Sequence, residues 1–262
     1  MNHRAVVAGF KQQKIQFFSD PQWIIPSLVS PFLFTMVMLF LYGDDVDGPI
    51  VLQAVLGGGV LGMWANTLFA SSFTISYDRM NGTLESIMVA PSSIYSILIG
   101  RSLWSTAIGL VNAVVVFVIA EVMFDADLTL ANPVLFFVML ILTLFSLASV
   151  GMLIATAFIR TRMGRVLSTI AEYPIYVLSG ALVPITVLPE GLRVFSYVLA
   201  PAWGIDAVKR AAIDGCESMF GVSMAVDVAL LLALSSLLLA VAYVVTRRVE
   251  RRMLETGSAT RY

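Results

Sequence analysis

The chain has 262 residues, of which 59% are apolar and only 13% charged, with a formal net charge of −1. A soluble domain has roughly a quarter of its residues charged, and a surface made from so few charges would not stay dispersed in water. The apolar residues fall in long runs, the mark of a membrane protein. The single cysteine, Cys216, excludes an intrachain disulfide and a four-thiolate metal site, and the single histidine, His3, excludes histidine triads and two-histidine metal motifs.

Residues 1–20 predict a helix lying in the membrane interface, with Val7, Phe10, Phe17 and Phe18 near one side and Lys14 interrupting that stripe. Arg4, Lys11, Lys14 and Asp20 break up any compact apolar core of a cleavable signal. The first span is expected over 23–42, with Pro26 and Pro31 in its outermost turns or kinking it, before an acidic turn at 43–48. The second, 49–75, contains Gly57, Gly58, Gly59 and Gly62, which either permit close helix contact or loosen the helix. Residues 76–97 form a charged connection carrying a short helix before Pro91. A third span starts near Leu98 or Arg101 and runs to Phe124, and Asp125 and Asp127 mark a short acidic link. The fourth covers 133–158 and stops at Arg160, Arg162 and Arg165. The fifth, 166–187, holds Glu172 and Pro174. Residues 188–221 are more polar and predict short helices dipping into the outer membrane face. The last span, 222–246, is apolar except for Asp227 and ends at Arg247, Arg248, Arg251 and Arg252.

The expected fold is therefore all-α, one membrane domain over 1–262 with six spans. If both termini are cytoplasmic, every Lys and Arg except Arg193, Lys209 and Arg210 falls on the inner side. That bias sets orientation.

Motifs for chemistry are sparse. The chain has no GxxxxGK[ST] phosphate loop, so it is not expected to hydrolyse ATP, and its basic clusters flank hydrophobic spans rather than forming a nucleic-acid surface. Glu172 is the one acidic residue well inside a predicted span. It is either a polar point in a substrate path or a carboxylate snorkelling towards the interface near Arg165. In the 76–97 connection, Asn81-Gly82 signals a turn or a helix start, with Thr83, Glu85 and Ser86 placed to satisfy first-turn amides. Such a segment is an interfacial connector or a partner-docking helix.

That connection resembles the intracellular signature of the ABC-2 type export permeases: Arg79, Gly82, Thr83, Leu84 and Glu85, then Ala90-Pro91, then Gly100-Arg101 entering the third span. The resemblance extends to the N-terminal helix, the six spans and the enlarged region before the last one. It implies one permease half of an exporter in a bacterial or archaeal plasma membrane, multi-pass with both termini cytoplasmic. The permease would bind no cofactor, while two copies of a separate ATP-binding subunit would carry ATP and Mg. A second permease half, most simply an identical copy, would complete the unit. By the same resemblance residues 79–90 form the coupling helix, the N-terminal helix also touches the ATPase, and the 188–221 helices cap the outer mouth. The sequence looks nearer the drug and nodulation-factor branch than the O-antigen branch, whose N-terminal helix carries an Arg-Tyr pair; this chain reads Phe10-Lys11-Gln12-Gln13-Lys14. A drug, a lipid or a lipid-linked glycan fits as substrate. Trp64, Phe69, Phe73, Trp104 and Phe117 are candidates either for a lipid-compatible path or for plain packing. Two alternatives come from other classes: a secondary transporter without an ATPase, and a noncatalytic membrane assembly subunit.

Overall fold

The computed structural model describes residues 3–19, 21–42, 48–83, 86–87, 92–124, 130–158, 170, 174–181 and 184–256. They form an all-α, multi-pass membrane-type fold. In chain order the helices are α1 (His3–Ser19), α2 (Pro21–Tyr42), α3 (Gly48–Met80), α4 (Ile94–Phe124), α5 (Pro133–Phe158), a 3₁₀ turn (Ile185–Val187), α6 (Glu190–Val198), α7 (Ala200–Ala212) and α8 (Met224–Thr256). Residues 174–178 are also helical. Three stretches among the described residues are long and apolar enough to cross a membrane: Ile94–Val118, Pro133–Ala157 and Met224–Arg252. At 1.5 Å per residue the 22-residue α2 and 33-residue α3 also exceed the bilayer's hydrocarbon thickness of about 30 Å.

α5 begins where its sequence says it should. Asn132 Oδ1 accepts the Leu135 N–H as an N-cap, and Pro133 occupies the first helical position, where its missing N–H costs nothing. α3 and α8 run several residues past the apolar stretches that predicted them, to Met80 and Thr256. A helix can leave the bilayer without ending, because its hydrogen bonds are internal.

Gly58 and Gly62 face Thr35 and Pro31 of α2, and a Cβ on either would overlap that helix. Gly57 lies equally close to Ala181. α3 remains helical through all four glycines, and Gly57, Gly58 and Gly62 serve close contact, whereas Gly59 has room for a Cβ. A buried hydrogen bond from Asn112 Nδ2 to Ser27 O at 2.8 Å ties α4 to α2.

The main core joins Leu52, Leu56, Leu61 and Trp64 of α3, Phe136, Leu140 and Leu144 of α5, Tyr176, and Ile205 and Val208 of α7. A second cluster gathers Ile75, Ile94, Leu98, Met152, Ala155, Ala242 and Val249, at what we call the loop end of the bundle. α1 and the last turns of α8 both lie at this end, α1 against Ile97 and Gly100, and α8 through Val249.

The opposite, or cap, end is closed by α7. Twelve of its thirteen residues are buried, and it runs antiparallel to the first half of α5. Gly204 meets Thr143 halfway along, and the Ala131 and Asn132 amides donate to the Ala212 and Ala211 carbonyls. Those bonds satisfy carbonyls that a helix C-terminus leaves orphaned. The expectation of short helices dipping into a membrane face takes a sharper form here: α6 keeps Val194, Phe195 and Val198 exposed, while α7 is embedded among the other helices.

Candidate functional site: the loop end and its anchors

Residues 77–83 build the start of the connection. The Gly82 N–H donates to Arg79 O and the Thr83 N–H to Asp78 O, at 3.2 and 2.9 Å. With Gly82 at φ 68°, this is a Schellman closure of α3. Asn81-Gly82 therefore ends the preceding helix; it does not start the next one. Thr83 O accepts the Ile87 N–H, so the following helical turn begins at the residue that completes the stop.

Thr83 Oγ1 points back rather than forward, donating to Asp78 O and, at 3.4 Å, to Asp78 Oδ1. The other carboxylate oxygen, Asp78 Oδ2, takes a 2.6 Å bond from Arg101 Nη1 of α4, with both side chains 4% exposed. The entrance to the connection is thus fastened to α4 through a charge-assisted bond in a dry setting. Arg101 Nε and Nη2 are buried without partners, so one bond carries most of this link. The exit is fastened as well: the Ile94 N–H at the start of α4 donates to Glu250 Oε1 of α8 at 3.1 Å. Sequence reasoning singled out Arg101 but missed Asp78 and Glu250. A lone Asp beside a predicted span was the available signal for Asp78; nothing marked Glu250.

α1 lies across the start of α4. Cβ atoms at Gly9 or Gly100 would strike the opposing backbone, which fixes a close crossing. The face buried against the bundle is Ala5, Gly9, Gln13 and Phe17, spaced by four; of the expected stripe it takes in Phe17, while Val7 and Phe18 are exposed. Gln13 is 1% exposed and its Oε1 accepts from Thr74 Oγ1 of α3 at 3.1 Å. Trp104 packs edge-on against Phe10, Phe17 and Phe18, with Lys14 Nζ 6.0 Å from its ring centre. Lys14 thus joins the aromatic group it was expected to interrupt.

Of the other residues read from sequence, Arg79 is half-buried in the last turn of α3 and Gly82 is exposed. Trp64 is buried against Tyr176 at 6.3 Å between ring centres. Phe117 packs on Phe136. Leu84, Glu85, Pro91 and Glu172, and the side chains of Phe69 and Phe73, lie outside the described residues.

A second polar group, unforeseen in the sequence, sits at the cap end. Each charged residue of α7 holds a different segment. Asp206 accepts from Ser218 Oγ and the Met219 N–H at 2.7 and 2.9 Å. Lys209 Nζ donates to Gly180 O at 2.8 Å. Arg210 Nη1 reaches Val222 O and, at 2.6 Å, Asp227 Oδ2 in the first turn of α8. Burial pulls the Lys209 ammonium down to about 8, against the opposing pull of Cys216 and Asp206. Burial also pushes the Cys216 thiol up. Among the described residues no three His, Cys, Asp or Glu side chains gather as metal ligands.

No curated protein matches the chain. The family model for the ABC-2 type transporter matches residues 4–212, which takes in α1, the anchored connection and α7. The chain belongs to the ABC-2 type transporter family, as a noncatalytic membrane component.

Proposed function

We propose that this protein is the permease half of an ATP-driven exporter that moves a hydrophobic or amphipathic molecule, whether drug, lipid or lipid-linked glycan, out of the cytoplasm or inner leaflet. The loop end faces the cytoplasm, with both termini on that side, in a bacterial or archaeal plasma membrane. Six spans cross it, and α6 and α7 cap the outer mouth. ATP and Mg bind on two copies of a separate subunit, and a second, identical permease half completes the path.

The observation that carries this reading is the double anchoring of the connection between α3 and α4. A surface connector has no need of a buried ion pair at its entrance and a helix contact at its exit, whereas a segment that transmits force needs both. We assign coupling to the ATPase to Arg79, Gly82, Thr83, Leu84, Glu85 and Pro91, with Arg79 and Gly82 closing α3 and the docking helix following from Thr83. Arg101 serves it from behind, through Asp78. Trp64, Phe69, Phe73 and Glu172 remain the residues we assign to the path; we assign Trp104 to holding α1.

The test is copurification in mild detergent with tagged ATP-binding subunits encoded beside it, followed by ATPase and transport assays. We expect a stoichiometric complex whose turnover a particular lipid or drug raises. Glu85→Lys should lower transport-coupled ATP turnover while membrane insertion stays intact, since a reversed charge in the docking helix opposes both the subunit contact and the helix-start hydrogen bonding. A chain that purifies without any nucleotide-binding partner would return the weight to a secondary carrier or an assembly subunit.

A further inference from the structure

α8 is tied at both of its ends. At the cap end Asp227, fully buried, pairs with Arg210 of α7 at 2.6 Å. At the loop end Glu250 accepts the first amide of α4 at 3.1 Å. Twenty-three residues separate the two carboxylates, about 35 Å along a continuous helix. Between them α8 buries Leu231, Ser235, Ala242 and Thr246, the last hydrogen-bonded to Thr156 of α5 at 3.0 Å, and Tyr95 of α4 donates to Leu239 O at 3.3 Å and packs edge-on against Tyr243. Most of its remaining surface faces away from the bundle, so α8 is held by one side and its two ends.

We propose that α8 is a connecting rod: Glu250 and Asp227 are positioning residues through which displacement of the α3–α4 connection reaches α7 and the loop that α7 fastens at 213–222. A helix is stiff along its axis, since stretching it breaks backbone hydrogen bonds, whereas small sliding of packed helices is a common shear motion. The rod rests on the exporter reading for what drives the connection, and on the contacts alone for what the connection is tied to.

Cys216, the single thiol of the chain, lies half-buried in the 213–222 loop and reports on the cap end without further engineering. The full-length protein is placed in lipid nanodiscs, where both faces meet solvent, and the rate of maleimide labelling of Cys216 is measured at pH 8. Glu250→Ala removes the acceptor at the far end of α8. It should change the labelling rate about threefold or more, within the range of coupling carried by packed elements. Glu250→Gln keeps an acceptor oxygen and should keep the wild-type rate, as should Arg248→Ala, an exposed neighbour. In an Asp227→Ala background, which removes the acceptor for Arg210, Glu250→Ala should add nothing further, because the rod's other end is already loose. If Glu250→Ala does not give a single size-exclusion peak, Ile94→Pro deletes the donor instead, at a first helical position that tolerates proline. A wild-type rate in a folded Glu250→Ala or Ile94→Pro variant overturns the rod, and so does an effect that persists undiminished in the Asp227→Ala background. Adding the ATP-binding subunits and ATP tests the exporter reading separately. A nucleotide-insensitive rate alongside an intact Glu250 effect removes that reading and leaves the rod standing.

Discussion

Asp78 divides its carboxylate between two elements, one oxygen for Arg101 and the other for Thr83. Removing the charge from one member of a buried pair leaves the other uncompensated, at a cost of about 3 kcal/mol or more, whereas an apolar pair of similar size is often neutral. Asp78→Asn should therefore lower the thermal midpoint in detergent more than the double replacement Asp78→Leu/Arg101→Met does. Equal losses would mean the pair contributes little. Gly82 makes a separate prediction. Its φ of 68° has no steric neighbour, so Gly82→Ala meets only the left-handed backbone penalty, about 1 kcal/mol, and Gly82→Asn less. Guanidinium or thermal unfolding of the two variants would rank them. Arg101 was legible in the sequence as part of a motif, but its partner was not. The two residues are 23 positions apart, and a pairing across that distance is set by how two helices cross.

At the scale of elements, apolar runs and punctuation located α2, α3, α4, α5 and α8, with Pro133 at the start of α5, whereas the expected fifth span over 166–187 lies partly outside the described residues and its helix gives way to a turn at 179–180 and a 3₁₀ turn at Ile185–Val187. Two features escaped. The face that α1 buries joins the small Ala5 and Gly9 to Gln13 and Phe17, because the backbone of α4 approaches at Gly9 and Gly100. α7 escaped because its charges look like marks of solvent until the three separate segments they bind are in place. The α1 crossing gives a direct test. Gly100→Leu should push α1 off α4, and trypsin should then cut after Lys11 and Lys14 several times faster than in the wild type. Unchanged cleavage would mean that the aromatic cluster on Trp104 alone holds α1.

Across the whole molecule, the two polar groups sit at opposite ends, and each joins segments distant in sequence. Lys209 provides a pH signature of the cap. Its folded value of about 8 lies below the ordinary lysine value of 10.5, so between those values the unfolded chain binds more protons. Its contribution to stability is therefore present above pH 10.5 and lost as pH falls through 8. The thermal midpoint of the wild type should hold up better from pH 8 to 10 than that of Lys209→Met, which lacks the titrating group; parallel curves would mean the ammonium is not desolvated. The packing of the cap could not be read from the sequence in advance, because α5, the 180 turn, α7 and α8 each supply only one part of it.

The hydrogen bonds from Ala131 and Asn132 to the end of α7 also set an order of assembly. Those two amides emerge from the ribosome about eighty residues before the carbonyls that accept them. At about 5–20 residues per second the start of α5 waits roughly 4–16 s for its closure. During that interval the cap end of the new protein is open, and whatever attends its insertion must shield the groove that α7 will fill.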